Sequence, residues 1–237
     1  MTLSLHGRKA IVTGGTRGIG RAIAKMFLEA GVETAIFGRT QSNVDSAQRE
    51  LADETGGMIA GMACDITNVE DIRKFFAFAD DQLGSYDILV NNAGVGIFRS
   101  VGDLAPEDWQ RTIDTNLTGV YHCCHLAVER FRRWGGGHIV NIASLAGKNA
   151  FAGGAAYNAS KFGLVGFGEA LMLDHRHDNV RVTTVLPGSV STDFGRAGVA
   201  GWKIQPEDVA EVVRMAVSMP ERTMVSSIEM RPSKPAK

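Results

Sequence analysis

Short apolar runs alternate with longer stretches in which apolar residues recur every three or four positions, from residue 9 almost to the end of the chain. The short runs fit buried strands and the longer ones helices with one apolar face. Strands are predicted at 9–14 (KAIVTG), 33–38 (ETAIFG), 58–65 (MIAGMACD), 87–94 (DILVNNAG), 137–144 (GHIVNIAS) and 180–188 (VRVTTVLPG), with a last short one near 225–230. Helices are predicted at 20–31, 41–55, 69–84 and 154–175. One long helix is expected from Pro106 to Trp134 and another opens at Pro206, since proline suits a first helical turn.

Regular strand–helix alternation with near-continuous apolar strands predicts an α/β fold, a parallel sheet of about seven strands covered by helices on both faces. A chain of 237 residues has room for this as one domain over 1–237, with residues 231–237 expected to fray. Ligands of such open sheets sit beyond the C-terminal ends of the strands. A formal charge of −1 gives no reason to expect nucleic acid or an anionic membrane as partner. The three cysteines, Cys64, Cys123 and Cys124, form no disulfide framework, and no apolar run approaches the ~20 residues of a membrane span. The expectation is a cytoplasmic protein without a leader.

The segment TGGTRGIG (13–20) follows the first strand and opens the first helix. Gly14, Gly18 and Gly20, with Thr16, Arg17 and Ile19 between them, suit a tight turn that brings backbone N–H groups to a pyrophosphate at the helix N-terminus. No Gly-Lys-Ser/Thr follows, which excludes the mononucleotide P-loop. The expectation is a doubly wound Rossmann domain that binds a dinucleotide. The second strand ends in FGRT, where an NAD site commonly carries an acid. Arg39 stands there with Gly38 before it, and Arg17 lies in the glycine loop; two guanidinium groups suit a 2′-phosphate and favour NADP(H).

YNASK (157–161) places Tyr157 and Lys161 at i and i+4, one helical turn apart on one face. A tyrosine ordinarily has a pKa near 10. A lysine cation ~4 Å away contributes roughly 4 kcal/mol before screening, enough to lower that value by up to ~3 units. The phenol then exchanges a proton with an alkoxide.

TGGTRGIG, NNAG at 91–94, Asn116 in DTNLTG, Ser144 after the fifth strand, YNASK and PG at 187–188 occur in one order and spacing that resembles the short-chain dehydrogenase/reductase family, in its compact 3-oxoacyl-reductase-like form. The resemblance covers roughly residues 8–230. It implies that Tyr157 is the acid/base, that Lys161 binds the nicotinamide ribose and tunes Tyr157, and that Ser144 holds the substrate oxygen. It implies that Asn116 helps hold a water linking Lys161 to solvent. Asp65 and Ile66 are expected beside the adenine, and Asn91, Ala93 and Gly94 along the cofactor. Pro187, Gly188, Val190 and Thr192 are expected at the nicotinamide end.

These features make an NADPH-dependent reductase of ketones or 3-oxoacyl compounds the leading expectation, with a small-molecule carbonyl or alcohol as partner. An NAD-linked secondary-alcohol dehydrogenase and a non-catalytic dinucleotide sensor are the competing readings. Self-association is expected, as a homotetramer or failing that a dimer. Its basis is the apolar character of the helices carrying Leu117, Val120 and Leu126, and Phe162, Val165 and Phe167. The basic stretch ERFRRW (129–134) raises an acyl carrier protein as partner, but a solvated helix end is favoured. No metal is expected: in YHCCHL (121–126) four consecutive helical positions point about 100° apart and cannot converge on one ion. Phe98, Phe151 and Phe194 are candidates for an apolar substrate wall, with Trp202 as a further cover.

Overall fold

The computed structural model describes residues 3–194 and 200–235. Seven strands, β1 (Lys9–Thr13), β2 (Glu33–Gly38), β3 (Ile59–Ala63), β4 (Ile88–Asn91), β5 (Gly137–Ile142), β6 (Val180–Pro187) and β7 (Ser227–Met230), form one sheet in the order β3-β2-β1-β4-β5-β6-β7. Every neighbouring pair is parallel. The helices are α1 (Gly18–Glu29), α2 (Gln41–Thr55), α3 (Val69–Leu83), α4 (Pro106–Ile113), α5 (Gly119–Trp134), α6 (Ala155–His175) and α7 (Pro206–Val217).

Strand parity builds two cores. Ile11, Phe37, Leu89 and Ile139 face one layer, where they meet Phe75 and Phe76 of α3, Phe131 of α5 and Leu164 of α6. Val12, Ile36, Val90 and Val140 face the other, against Ile23 and Phe27 of α1, Leu51 of α2 and Val213 of α7. Side chains alternate across a strand, so continuous apolar runs are needed to feed both layers. The strand order reverses between β1 and β4, which opens a crevice at their C-terminal ends.

Two expectations need correction. The helix expected from Pro106 to Trp134 is interrupted: a π-helical turn at Asp114–Thr118 separates α4 from α5. Val120 turns into the core, while Tyr121, Phe162 and Leu173 are exposed, and Leu117, Leu126, Val165 and Phe167 lie half-buried.

One polar group stands deep in the sheet. His138 of β5 is fully buried, its Nε2 2.8 Å from Thr183 Oγ1, and that hydroxyl donates to Val225 O at 2.7 Å. With the hydroxyl hydrogen spent, Nε2 must be the donor. Nδ1 has no hydrogen-bond partner among the described residues.

Candidate active site

The crevice is lined on one side by the glycine loop. Gly14 and Gly18 hold φ of +65° and +54°, a region that side chains disfavour. A Cβ on Gly20 would lie 2.3 Å from Gly14 O and 2.4 Å from Asn92 Nδ2, so position 20 admits no side chain. The loop is stapled to the end of β4. Thr13 Oγ1 accepts from the backbone N–H groups of Asn92 and Ala93, both at 2.9 Å, and Asn92 Nδ2 donates to Thr13 O at 3.0 Å. Arg17 takes the N-cap position of α1 in an extended conformation and supplies no side-chain cap, leaving the first N–H groups of α1 for a ligand.

Arg17 and Arg39 are both exposed and enter no ion pair among the described residues. A cleft beside Arg17 is lined by Thr16, Asn43, Ser46, Ala47 and Glu50. Gly38 ends β2 against Thr16: a Cβ there would sit 2.7 Å from the Thr16 methyl. The chain thus brings two uncommitted cations to the end of β2 and keeps carboxylates off position 38. A nicotinamide dinucleotide fits this cradle.

Asp65 lies beyond the end of β3 and accepts from the N–H and hydroxyl of Thr67 at 2.9 and 2.8 Å. Gly94 lies against Asn116: a Cβ there would be 3.2 Å from its Oδ1. On the far side of the crevice, Gly188 N donates to Met230 O, and Val190 bridges to Ile204. The Thr192 methyl would lie 3.4 Å from a Cβ on Gly18, so the loop after β6 reaches over the glycine loop.

Ser144, Tyr157 and Lys161 come together. Ser144 Oγ accepts from Ala146 N at 3.1 Å and caps a short turn over Leu145–Gly147. That turn is clipped to α6 by Asn158, whose Nδ2 donates to Ala146 O at 2.9 Å. Tyr157 lies in the first turn of α6 and is 9% exposed; Lys161, one turn on, is 4% exposed. Lys161 Nζ donates to Ile142 O at 3.0 Å and lies 5.8 Å from the Tyr157 ring centroid. Burial lowers the Lys161 ammonium to about 8.

The Tyr157 phenol does not show the expected lowering. Burial raises its pKa, and a hydrogen bond with the Ser144 hydroxyl pulls the other way. Lys161 is turned to a carbonyl and does not offset the desolvation, so Tyr157 keeps its proton at neutral pH.

Three further placements differ from expectation. Asn91 shares the parity of Leu89 and points into the core, donating to Asn141 Oδ1 at 2.9 Å and Cys124 Sγ at 3.2 Å; it does not face the crevice. Its neighbour Asn92 does. Ile66 buries its side chain in the core. Asn116, in the π-helical turn, spends its side chain on Val95 and Ser160: Oδ1 accepts from Val95 N, and Nδ2 donates to Val95 O and Ser160 Oγ. Its side chain fixes the loop after β4. Thr13 and Asn92 belong to the TGGTRGIG and NNAG motifs, and the structure gives them the staple between the glycine loop and the end of β4.

Cys123 and Cys124 of YHCCHL are buried in the core, where burial pushes both thiols up, Cys124 to about 12. Tyr121 packs against the rings of His122 and His125 outside it. In ERFRRW, Arg130 pairs with Asp80 and Arg132 with Asp178. Phe98 and Phe194 reach the Tyr157 ring, with centroids 5.4 and 5.9 Å from it, and Phe151 follows 5.7 Å from Phe98. Trp202 meets the Lys203 ammonium, while residues 195–199 lie outside those described.

Residues 8–200 match the family described as short chain dehydrogenase. The chain is 35% identical to a 3-oxoacyl-(acyl-carrier-protein) reductase of Chlamydia muridarum, over 82% of this chain and 78% of that one. It is also 35% identical to a sepiapterin reductase of Chlorobaculum tepidum, over 94% and 95% of the two chains. Among solved structures, a metagenomic short-chain oxidoreductase in complex with NADP is 35% identical and superposes with a TM-score of 0.87, covering 98% of this chain and 100% of that one.

Proposed function

The chain belongs to the short chain dehydrogenase family, and from that premise we propose that it is an NADPH-dependent reductase converting a ketone or 3-oxoacyl carbonyl to a secondary alcohol. The observation that carries the reading is the buried Tyr157–Lys161 pair, with the half-buried Ser144 against the phenol, beside a glycine cradle flanked by Arg17 and Arg39. The bound reduced nicotinamide supplies a hydride; the chain's own groups position the carbonyl and move the proton. Ser144 and Tyr157 donate to the carbonyl oxygen, and charge developing there is stabilised by these fixed donors. Burial raises the Tyr157 pKa, and the protonated phenol would act as the acid in the reductive direction. Lys161, which donates to Ile142 O here, would hold the cofactor ribose. Asn116 is a positioning residue that acts through Val95.

Arg17 and Arg39 would grip the 2′-phosphate, with Thr16, Asn43 and Ser46 walling it. Two charge-assisted contacts of about 1.5–3 kcal/mol each imply a preference for NADPH over NADH of roughly 10²-fold or more. The exposed apolar residues Tyr121, Phe162 and Leu173 of α5 and α6 support self-association as a homotetramer, or a dimer. Light scattering at micromolar concentration reads that directly. The activity itself is tested by following reduced-nicotinamide absorbance over a ketone and 3-oxoacyl panel with each coenzyme. Turnover with NADPH well above NADH is the expected result; no turnover of any carbonyl with either coenzyme overturns the reading.

A further inference from the structure

The mouth of the site is built from rings. Phe98 stands edge-on to Tyr157, with an interplanar angle of 80°, and Phe151 stands at 61° to Phe98. Phe194 leans on Tyr157 at 55°. Phe98 and Phe194 converge over Gly96, where a Cβ would lie 2.6 Å from Phe194 Cε1 and 2.9 Å from Phe98 Cζ. Any side chain at that position would drive the rings apart.

The loops that carry the rings are fixed. Val95 is held through both backbone groups by Asn116, and Arg99 bridges to Gly154, which tethers the Phe98 segment to the Phe151 loop. Phe151 packs over Gly154, with a Cβ there only 2.7 Å from its Cζ. The rings still leave much surface uncovered: Phe151 is 46% and Phe194 40% exposed, while Tyr157 at the centre is almost fully buried. Half-exposed aromatic rings rimming a catalytic phenol call for a ligand that covers them. Arg99, the cation nearest in sequence, spends Nη1 on Phe98 O.

We propose that the site selects an uncharged ketone carrying an aryl group, the arene taking its place among Phe98, Phe151 and Phe194 and the carbonyl oxygen lying against Tyr157 and Ser144. This rests on the carbonyl-reductase reading above. An arene continues the edge-to-face arrangement of the rings, because its positive edge meets a negative face and its face meets a positive edge. A saturated ring of the same shape gains the burial and loses the quadrupole.

The test compares 1-phenylpropan-2-one with 1-cyclohexylpropan-2-one, two unconjugated methyl ketones of matched shape, with nonan-2-one as the linear control. With NADPH, kcat/KM for the phenyl ketone should exceed that of the cyclohexyl ketone by about 5–10-fold, with most of the difference in KM. Phe98→Leu should bring the ratio towards one, and Phe151→Leu, at a half-exposed ring, should reduce it if the first variant fails to fold. Calorimetric titration of 2-phenylacetamide and 2-cyclohexylacetamide, whose carbonyls are not reduced, reads the same preference without turnover. Failure of every ketone to react refutes the reductase reading alone, and the amide pair then decides this one. Equal or reversed preference in the ketones, or in the amides, overturns the proposal.

Discussion

The cofactor cradle and the substrate mouth lie at the same edge of the sheet but are built of different material. In the cradle the decisive contacts fall on backbone groups: a Cβ on Gly20 would strike Gly14 O, and the N–H groups of Asn92 and Ala93 donate to the Thr13 hydroxyl. At the mouth they are between side chains, Phe98, Phe151 and Phe194, each on a loop following a different strand. A backbone surface accepts only glycine where it is tightest, so one chemistry is fixed. A surface of rings can be exchanged residue by residue. This division lets one fold keep its coenzyme while its substrate drifts.

Tyr157→Phe tests the junction of the two regions and should have the largest effect. Turnover on a confirmed ketone should fall by at least ~10²-fold while NADPH affinity, read by fluorescence titration, stays near that of the parent. Retained turnover would remove the phenol from the mechanism, and lost affinity would show that cradle and mouth are not separable there.

The two regions should then respond oppositely to a change of one small group. Gly20→Ala puts a methyl where 2.3 Å is available and should cost roughly 1–3 kcal/mol of stability, lowering the thermal midpoint and NADPH affinity together. Phe151→Ala removes a half-exposed ring and should raise KM for an apolar ketone several-fold with little change in thermal midpoint. A Gly20→Ala protein that melts and binds normally would abolish the contrast.

Coenzyme choice sharpens the picture of the cradle's rim. Arg39→Ala should weaken NADPH by about tenfold and spare NADH. Gly38→Asp alone should bind both coenzymes poorly, because its Cβ meets the Thr16 methyl at 2.7 Å. Adding Thr16→Ser removes that methyl and should restore binding, now favouring NADH. Unchanged NADPH affinity in Arg39→Ala would refute the assignment.

The smallest effect concerns pH. Lys161 can donate a charge-assisted hydrogen bond to the ribose only as an ammonium, and its pKa of about 8 lies below the usual 10.5. NADPH affinity should be flat on the acid side and weaken a few-fold as pH rises through 8. A Lys161→Met protein should bind weakly with no such step. A step in that variant too would place the titrating group elsewhere.

Most of the fold was legible because parity and period are written locally. The strand cores at 9–13, 33–38 and 137–142 emerge as read, since runs such as AIV and AIF must feed two layers. What was illegible depended on contacts across the chain. Nothing local marks the π-helical turn at Asp114–Thr118, which is tied to the Asn116–Val95 clamp. Asn91 and Asn92 are identical in type, and only the pleat of β4 decides that one enters the core and the other meets Thr13. The Tyr157–Lys161 spacing showed that the two share a helix face. It did not show that the ammonium would turn to Ile142 O and leave burial to set the phenol.

His138 gives the sheet an acid limit. Burial, reinforced by the nearby charges of Arg181 and Arg8, holds its imidazole neutral, with a pKa pushed down to about 3 from 6.5. The unfolded chain takes up a proton near pH 6.5 that the folded sheet refuses. Stability from this group is therefore complete above pH 6.5 and drains away as pH falls towards 3, by about 1.4 kcal/mol for each unit. The neutral imidazole near the start of β5 thus makes the sheet less stable as acidity rises, at the end of the strands opposite the crevice.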